Sequence, residues 1–178
     1  MTIEASEALF AKARASLAPI ENVEVVRGDS REVLRRIVPA LPAPAVFWLD
    51  AHWSGGETYG AGDECPVLEE LGIVLGAPVE HAVLIDDARL FLAPPPLPHR
   101  AEQWPDIGAL LEGVLRAGPG RQVVVIEDVV AIVPARARDL LVRWAQERTT
   151  AEARANAATR LVRSARLVAE ALRVIVGA

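Results

Sequence analysis

Three aspartates follow two apolar runs of the sequence, and their chemistry is the first indication of function. Asp50 comes directly after Ala45–Leu49, and Asp86 and Asp87 come directly after His81–Ile85. Continuous apolar runs are typical of strands buried on both faces of a sheet, and such sheets bind ligands beyond the carboxyl ends of their strands. Carboxylates held so close together repel unless a cation or a proton offsets their charge. We therefore predict a site for a hard divalent cation, with magnesium as the expected ion, at the three aspartates.

A simpler interpretation of the same aspartates needs no metal. One carboxylate would cap the following helix or loop, and another would pair with Arg89. His52 has two interpretations as well, because it can act as a base or ligand, or it can only hydrogen-bond its own loop. Asp29 and Ser30 follow a third predicted strand, but an Asp-Ser pair before a helical run is also an ordinary helix N-cap. These alternatives remain open at the level of sequence.

The elements that position these residues follow from the spacing of apolar side chains. Predicted helices cover Ser6–Leu17, Ser30 to Val38, Pro66–Leu75 and Trp104–Leu115. Predicted strands cover Asn22–Val26, Ala45–Leu49, His81–Ile85, Gln122–Ile126 and Val129–Val133, of which the last two form an antiparallel hairpin around Glu127-Asp128. The glycine-rich His52–Gly62 segment is predicted as a loop, and the proline-rich Ala93–Pro98 as a lid or rim. The alternation predicts an α/β layered sheet.

Composition and charge restrict the classes of function. The 178 residues are 52% hydrophobic, which is enough for one substantial core. Residues 1–134 hold 10 basic and 20 acidic side chains, whereas residues 135–178 hold 9 and 4, and the acidic region argues against nucleic acid as the partner. No apolar stretch reaches about 18 residues and no signal peptide is recognisable, so no membrane association is expected. The single cysteine, Cys65, fits a small half-buried apolar side chain and a cytoplasmic protein.

The C-terminal region is predicted to be a helical extension covering residues 135–178. Thr149 followed three residues later by Glu152 is typical of a capping box at a helix start. Apolar residues then recur at four- and three-residue steps, at Leu161, Ala165, Val168, Leu172 and Ile175. Such a stripe is expected to pack on the chain's own body or in a subunit interface.

Four segments together resemble a known family. They are IEASEALFAKA at Ile3–Ala13, VEVVRGDSREVL at Val23–Leu34, FWLDAHWSGG at Phe47–Gly56 and LIDDARLF at Leu84–Phe91. Their order and spacing over roughly residues 1–133 resemble the class I S-adenosylmethionine-dependent methyltransferases. The resemblance implies a Rossmann-like, mostly parallel sheet that ends in an antiparallel hairpin. The pair formed by Asp50 and Asp86-Asp87 is similar to the small-molecule O-methyltransferases related to catechol methyltransferase, in which equivalent acidic positions hold magnesium.

The resemblance implies a role for each matching residue. Glu4 corresponds to the acid that hydrogen-bonds the ribose hydroxyls of S-adenosylmethionine. Asp29 and Ser30 match the position that contacts the adenine, and Asp50 lies beside both the cofactor and the metal. The implied metal ligands are Asp50, Asp86 and Asp87. The implied substrate is a small hydroxylated molecule.

Two departures from the family pattern affect these expectations. The opening strand and its glycine-rich turn have no counterpart, because Met1 lies only three residues before Glu4. A truncated sheet is therefore expected, with unpaired strand edges that a complementing N-terminal segment or another subunit of a homo-oligomer would fill. The catechol-type enzymes also place a lysine after the first metal aspartate, whereas Lys12 is the only lysine here. His52 would then serve as the catalytic base beside Asp50, or the metal alone would suffice.

Two other classes of function remain as alternatives to a methyltransferase. One is a non-catalytic remnant of the fold that acts as an interaction module through its basic helix. The other is a metal-dependent hydrolase that uses the same three aspartates.

Overall fold

The structure is a computed structural model, and it describes residues 1–56, 58–118 and 120–156. The strands in these residues are β1 Thr2–Glu4, β2 Val25–Arg27, β3 Val46–Leu49, β4 Ala82–Ile85, β5 Arg121–Ile126 and β6 Val129–Pro134. The α-helices are α1 Glu7–Leu17, α2 Ser30–Ile37, α3 Val67–Leu75, α4 Arg89–Leu92 and α5 Ile107–Arg116. Residues 138–156 are also helical. None of the helices in the described residues is long and apolar enough to cross a membrane.

The strands form a mixed arrangement. β1 pairs with β2 in parallel, and β3 pairs with β4 in parallel. β6 lies between β4 and β5 and runs antiparallel to both. The predicted α/β class and the hairpin are therefore confirmed, but the prediction of a mostly parallel sheet is wrong. The reason is that the hairpin turns back at Glu127, with φ +52°, and its second strand rather than its first joins β4.

The described strands divide into two sheets. One has the order β1-β2, and the other has the order β3-β4-β6-β5. No hydrogen-bonded pairing joins β1 to β3 within the residues that the structure describes.

One core lies beneath the helices. α2, α3 and α5 lie side by side, and α3 packs against β3 and β4. Leu71, Val83 and Ile132 at the centre of this core are fully buried. A fully buried aliphatic side chain contributes about 1.5–3 kcal/mol, so this layer holds the carboxyl ends of β3 and β4 in place.

Two predicted helix starts are wrong for local reasons. Trp104 does not open a helix, since it precedes Pro105 and adopts the extended backbone that this position favours, with φ −111° and ψ 127°. α5 begins instead at Ile107, where Asp106 Oδ1 accepts the Ala109 N–H at 2.8 Å. Thr149 lies inside the helix over residues 138–156, where its hydroxyl donates to carbonyls of the preceding turn. The apolar stripe predicted from Leu161 onward lies outside the described residues.

The chain divides into two compact units, Met1–Arg138 and Asp139–Ala178. The residues predicted to carry chemistry all belong to the first unit.

Candidate functional site

A cavity of about 270 Å³ opens at the carboxyl ends of β1, β2 and β3. Glu4, Asp29, Ser30 and Asp50 all line it, together with His52. These four acidic and hydroxyl residues are the ones that the family resemblance assigns to the cofactor. The structure therefore brings that whole set around one space.

Glu4 is the last residue of β1 and is fixed by backbone contacts. Its Oε1 accepts the Ser6 N–H at 2.8 Å, and its carbonyl accepts the Gly28 N–H at 3.1 Å. The first contact lies at the start of α1, and the second joins the ends of the first two strands. The carboxylate is therefore held at the cavity wall.

Asp29 is the N-cap of α2, so the capping interpretation of this residue is confirmed. Its Oδ1 accepts the Arg31 N–H at 2.9 Å. The Arg31 guanidinium also donates to both carboxylate oxygens, at 3.0 and 2.8 Å, and these hydrogen bonds hold the pKa of Asp29 below its ordinary value. Arg31 further contacts Asp63 at 2.5 Å. Asp29 is thus engaged within the protein as well as lining the cavity.

Ser30 is tied to a buried carboxyl group behind the cavity. An interaction with the Ser30 hydroxyl lowers the pKa of Glu70 on α3, a carboxyl group that is 2% exposed, but only in part offsets the effect of burial. Burial raises the pKa of Glu70, and Glu70 Oε1 has no hydrogen-bond partner among the described residues.

His52 lies between two carboxylates at the rim. Its Nε2 is 2.9 Å from Asp87 Oδ2, and its Nδ1 is 3.5 Å from Asp50 Oδ1. Both are contacts between an imidazole nitrogen and a carboxylate oxygen, and the one to Asp87 is the shorter. The His52 side chain is only 9% exposed, whereas that of Asp50 is 51% exposed. Burial, reinforced by the nearby charges of Asp86 and Asp87, raises the pKa of Asp50.

The contacts of Asp86 and Asp87 include those of the metal-free interpretation. Asp86 Oδ1 accepts the Asp87 N–H at 2.9 Å, and this local bond supports the left-handed backbone of Asp87, at φ +55°. Arg89 donates to Asp87 Oδ1 at 2.7 Å and also pairs with Asp128. Asp87 therefore has one oxygen on Arg89 and the other on His52.

Three side chains converge at the rim. Two of them, Asp50 and Asp87, belong to the predicted set of metal ligands, and His52 takes the place of Asp86. Asp50, His52 and Asp87 each offer one ligand atom, and these atoms lie within 4.8 Å of one another. This donor set fits a divalent cation. It contains an imidazole in place of the third carboxylate, and imidazole suits ions such as zinc or iron better than magnesium.

A buried carboxylate that sequence reasoning missed supports the rim from behind. Glu64 is 1% exposed and accepts the indole N–H of Trp104 at 2.9 Å. It also contacts His99 Nδ1 at 3.2 Å and the Arg100 backbone N–H at 3.1 Å. Burial alone would raise the pKa of Glu64, but the hydrogen bonds from Trp104 and Arg100 lower it below its ordinary value. The Trp104 ring packs on His52, with 5.3 Å between ring centroids.

No sequence signal pointed to the Glu64 cluster, because its members come from two irregular segments. His99 belongs to this cluster, since it contacts Glu64 and its ring centroid lies 5.5 Å from that of Trp53. The Ala93–Pro98 stretch is irregular as predicted. Part of it lines a second, mostly apolar cavity of about 460 Å³, together with Trp104.

Cys65 and His81 are structural residues. Cys65 is buried, and burial raises the pKa of its thiol to about 12, so it stays protonated at neutral pH. His81 is fully buried, and its Nδ1 accepts the Ala45 N–H at 3.1 Å. Burial, aided by Arg121, lowers the pKa of His81.

No protein-family model, curated protein or solved structure matches this chain. The chemistry of the site must therefore be argued from its own residues.

Proposed function

We propose that this chain is a methyltransferase-type domain with a Rossmann-like arrangement, which transfers a methyl group from S-adenosylmethionine to a hydroxyl of a small molecule in the reducing cytosol. The observation that carries the proposal is the cavity at the strand ends, which gathers Glu4, Asp29, Ser30 and Asp50 beside His52. Ligands of open α/β sheets bind at such a rim. Acidic side chains at the cavity wall are suitable acceptors for ribose hydroxyl groups.

Glu4 and the start of α2 form the part of the cavity suited to the nucleoside end of the cofactor. Glu4 presents a carboxylate at the end of β1, held by the Ser6 N–H. Asp29, Ser30 and Arg31 present polar side chains at the end of β2. S-adenosylmethionine supplies, when bound, an electrophilic methyl group on a sulfonium.

His52 is the residue best placed to take the proton of the acceptor hydroxyl. If Nε2 carries the proton and faces Asp87 Oδ2, which lies 2.9 Å away, Nδ1 is left with a lone pair that can accept one. Asp87 thereby orients the ring and stabilises its protonated form. Packing on Trp104 further restricts the ring. The acceptor molecule would approach from the cavity side, where His52 and Asp50 both lie.

A divalent ion would be held by Asp50, His52 and Asp87. When bound, it would supply Lewis acidity that lowers the pKa of an acceptor hydroxyl. An imidazole nitrogen that coordinates an ion cannot also accept a proton, so metal binding and the base role compete at His52. Titration with Mn²⁺ and with Mg²⁺, followed by calorimetry of the full chain and of His52→Ala, separates the two roles. Loss of binding in the variant assigns His52 as a ligand, and unchanged binding leaves the imidazole free for the base role.

Binding of S-adenosylhomocysteine tests the function. We expect calorimetry to detect binding to the full chain, and Glu4→Gln to weaken it at least tenfold, because the ribose hydroxyls lose a charged acceptor. Glu7→Gln is the matched control, since Glu7 is a 78% exposed glutamate that pairs with Arg27 and does not line the cavity. Equal affinities for the two variants would contradict the assignment of Glu4. No binding at millimolar ligand would contradict the proposed function of the chain.

A further inference from the structure

Glu64 contacts the two residues that hold His52 in place. The Glu64 backbone carbonyl accepts the Trp53 N–H at 2.8 Å, and Trp53 is the residue after His52 in the sequence. The Glu64 carboxylate accepts the Trp104 indole N–H at 2.9 Å. The Trp104 ring lies against the His52 ring, with 5.3 Å between their centroids. One residue therefore anchors both the backbone beside His52 and the aromatic ring that packs on its side chain.

The Trp104 ring is held in one orientation. Its residue is 7% exposed, and its ring contacts those of Phe91 and His99, with 5.9 and 5.1 Å between centroids. A buried indole N–H needs an acceptor, and Glu64 Oε2 is the acceptor that it has. The ring would have to lose this hydrogen bond to turn away from His52.

Glu64 is itself firmly anchored. It is 1% exposed, its backbone N–H donates to Gln103 Oε1 at 3.0 Å, and its carboxylate accepts the Arg100 backbone N–H at 3.1 Å. A buried polar group with all these partners is a rigid point in the structure. Among the described residues that line the cavity of about 270 Å³, His52 is present and Glu64 is not. Any effect of Glu64 on the cavity must therefore pass through other side chains.

The orientation of the His52 ring decides which of its atoms face the rim aspartates. A half-turn about the Cβ–Cγ bond exchanges ring nitrogens with ring carbons, and the preferences of this torsion are broad. In the observed orientation, Nε2 lies 2.9 Å from Asp87 Oδ2 and Nδ1 lies 3.5 Å from Asp50 Oδ1. After a half-turn, carbon atoms would take the place of both nitrogens. Packing against His52 is therefore needed to keep the nitrogens beside the carboxylates.

We propose that Glu64 is a positioning residue for His52, which acts through its hydrogen bond to Trp104 and selects the ring orientation in which Nε2 lies beside Asp87. Its importance for a reaction rests on the proposed function, in which Nδ1 of His52 takes the proton of the acceptor. Glu64 does not touch the reacting groups in that scheme. It fixes the nitrogen that faces Asp87 and leaves the other available.

Long-range ¹H–¹⁵N NMR of the histidine-labelled full chain tests the proposal, because it shows which His52 nitrogen carries the proton. The spectra are recorded at pH 8 with a chelator, so that no metal ion competes for the ring. In the unmodified chain we expect the Nε2–H form to exceed the Nδ1–H form by at least about tenfold, because a carboxylate stabilises a proton on the nearer nitrogen. Glu64→Gln should lower this ratio by at least about threefold, within the range of coupling in one hydrogen-bonded network.

Trp104→Phe is the second variant, and it keeps an aromatic ring beside His52 but removes the indole N–H. It should lower the ratio by a similar factor, and it tests the proposal even if Glu64→Gln fails to fold. The double variant Glu64→Gln/Trp104→Phe should lower the ratio no further than either single variant, because both remove the same hydrogen bond. A double variant whose effect equals the product of the two single effects would show independent routes and would overturn the proposal.

Leu71→Ala is the control for a merely structural role. Leu71 is fully buried in the same core, so its truncation destabilises the fold, but it should leave the ratio at His52 unchanged. An equal change in Leu71→Ala, or an unchanged ratio in Glu64→Gln and Trp104→Phe, would overturn the proposal. The measurement uses no cofactor, so its outcome is independent of the binding of S-adenosylhomocysteine that tests the proposed function.

Discussion

Two clusters in this protein combine carboxylate and histidine side chains, and they differ in how well their charges are satisfied. Glu64 is buried and accepts hydrogen bonds from Trp104 and Arg100, so its pKa is lowered. Asp50 is half-exposed beside two further aspartates, has one distant imidazole contact at 3.5 Å, and has a raised pKa. The first cluster has its charge fully compensated by the protein. The second retains a deficit that a proton, a cation or a substrate can supply.

The two clusters therefore differ in role. The Glu64 cluster joins the segment before α3 to the segment before α5, and it places Trp104 against His52. The rim cluster of Asp50, His52 and Asp87 then remains partly open at the cavity. The Glu64 cluster therefore contributes to the stability of the fold, whereas the rim cluster carries charge that the protein does not fully compensate.

The largest effect is expected from removing the charge of Glu64. Glu64→Gln leaves several buried donors with a neutral acceptor that also brings its own N–H groups, so we expect the free energy of unfolding to fall by about 3 kcal/mol. Urea denaturation measures this change. Glu112→Gln is the matched control, because Glu112 is a 67% exposed glutamate in an i,i+4 pair with Arg116, and it should cost less than about 0.5 kcal/mol. Similar losses in both variants would remove the distinction between the two clusters.

The pH dependence of stability should be smaller and should come from buried His81. Its folded-state pKa lies below that of the unfolded chain, so its contribution is intact above about pH 6.5 and is lost as the pH falls. The loss has a maximum slope of about 1.4 kcal/mol per pH unit, because protonation of Nδ1 removes the acceptor of the Ala45 N–H. Denaturation between pH 7 and pH 5 should show a flatter profile for His81→Gln. Parallel profiles for the two proteins would contradict this role.

The smallest effect on the free energy of unfolding is expected from Asp50 at the rim of the cavity. Neutralising Asp50 should stabilise the protein, whereas neutralising Glu64 should destabilise it. The raised pKa of Asp50 means that its charged form is disfavoured in the folded state, so stability is lost as the pH rises through that pKa. Asp50→Asn should therefore stabilise the protein at pH 7, by a few tenths of a kcal/mol because the side chain is half-exposed. Chemical denaturation at pH 7 and pH 4 should show the gain only at pH 7. Destabilisation at pH 7 would show that Asp50 is satisfied after all.

Much of the fold could be predicted from local sequence. The apolar runs before Asp50 and Asp86 are β3 and β4, and the pattern around Glu127 is the predicted hairpin. The order in which the strands pair could not be predicted from local sequence, because either strand of a hairpin can pair with the rest of the sheet. The prediction that α5 starts at Trp104 was wrong, because Pro105 restricts the backbone of the residue before it and this outweighed the apolar periodicity.

The candidate site was predicted in part. Strand ends identified Asp29, Asp50 and Asp87, and the structure brings the last two together with His52. Asp86 was placed by adjacency alone, but the chain turns at Asp87, where the backbone is left-handed with φ +55°, and the Asp86 carboxylate instead accepts the Asp87 N–H. Glu64 could not be found, because its partners lie some 40 residues away in an irregular segment.

The most direct test of the central claim is to map S-adenosylhomocysteine onto the ¹⁵N-labelled chain by NMR. The account predicts that chemical-shift changes concentrate at the strand ends that line the rim cavity, at Glu4, Gly28 to Arg31 and Asp50 to His52. Changes confined to the apolar cavity around Pro94 and Ile107, or no changes at saturating ligand, would contradict it.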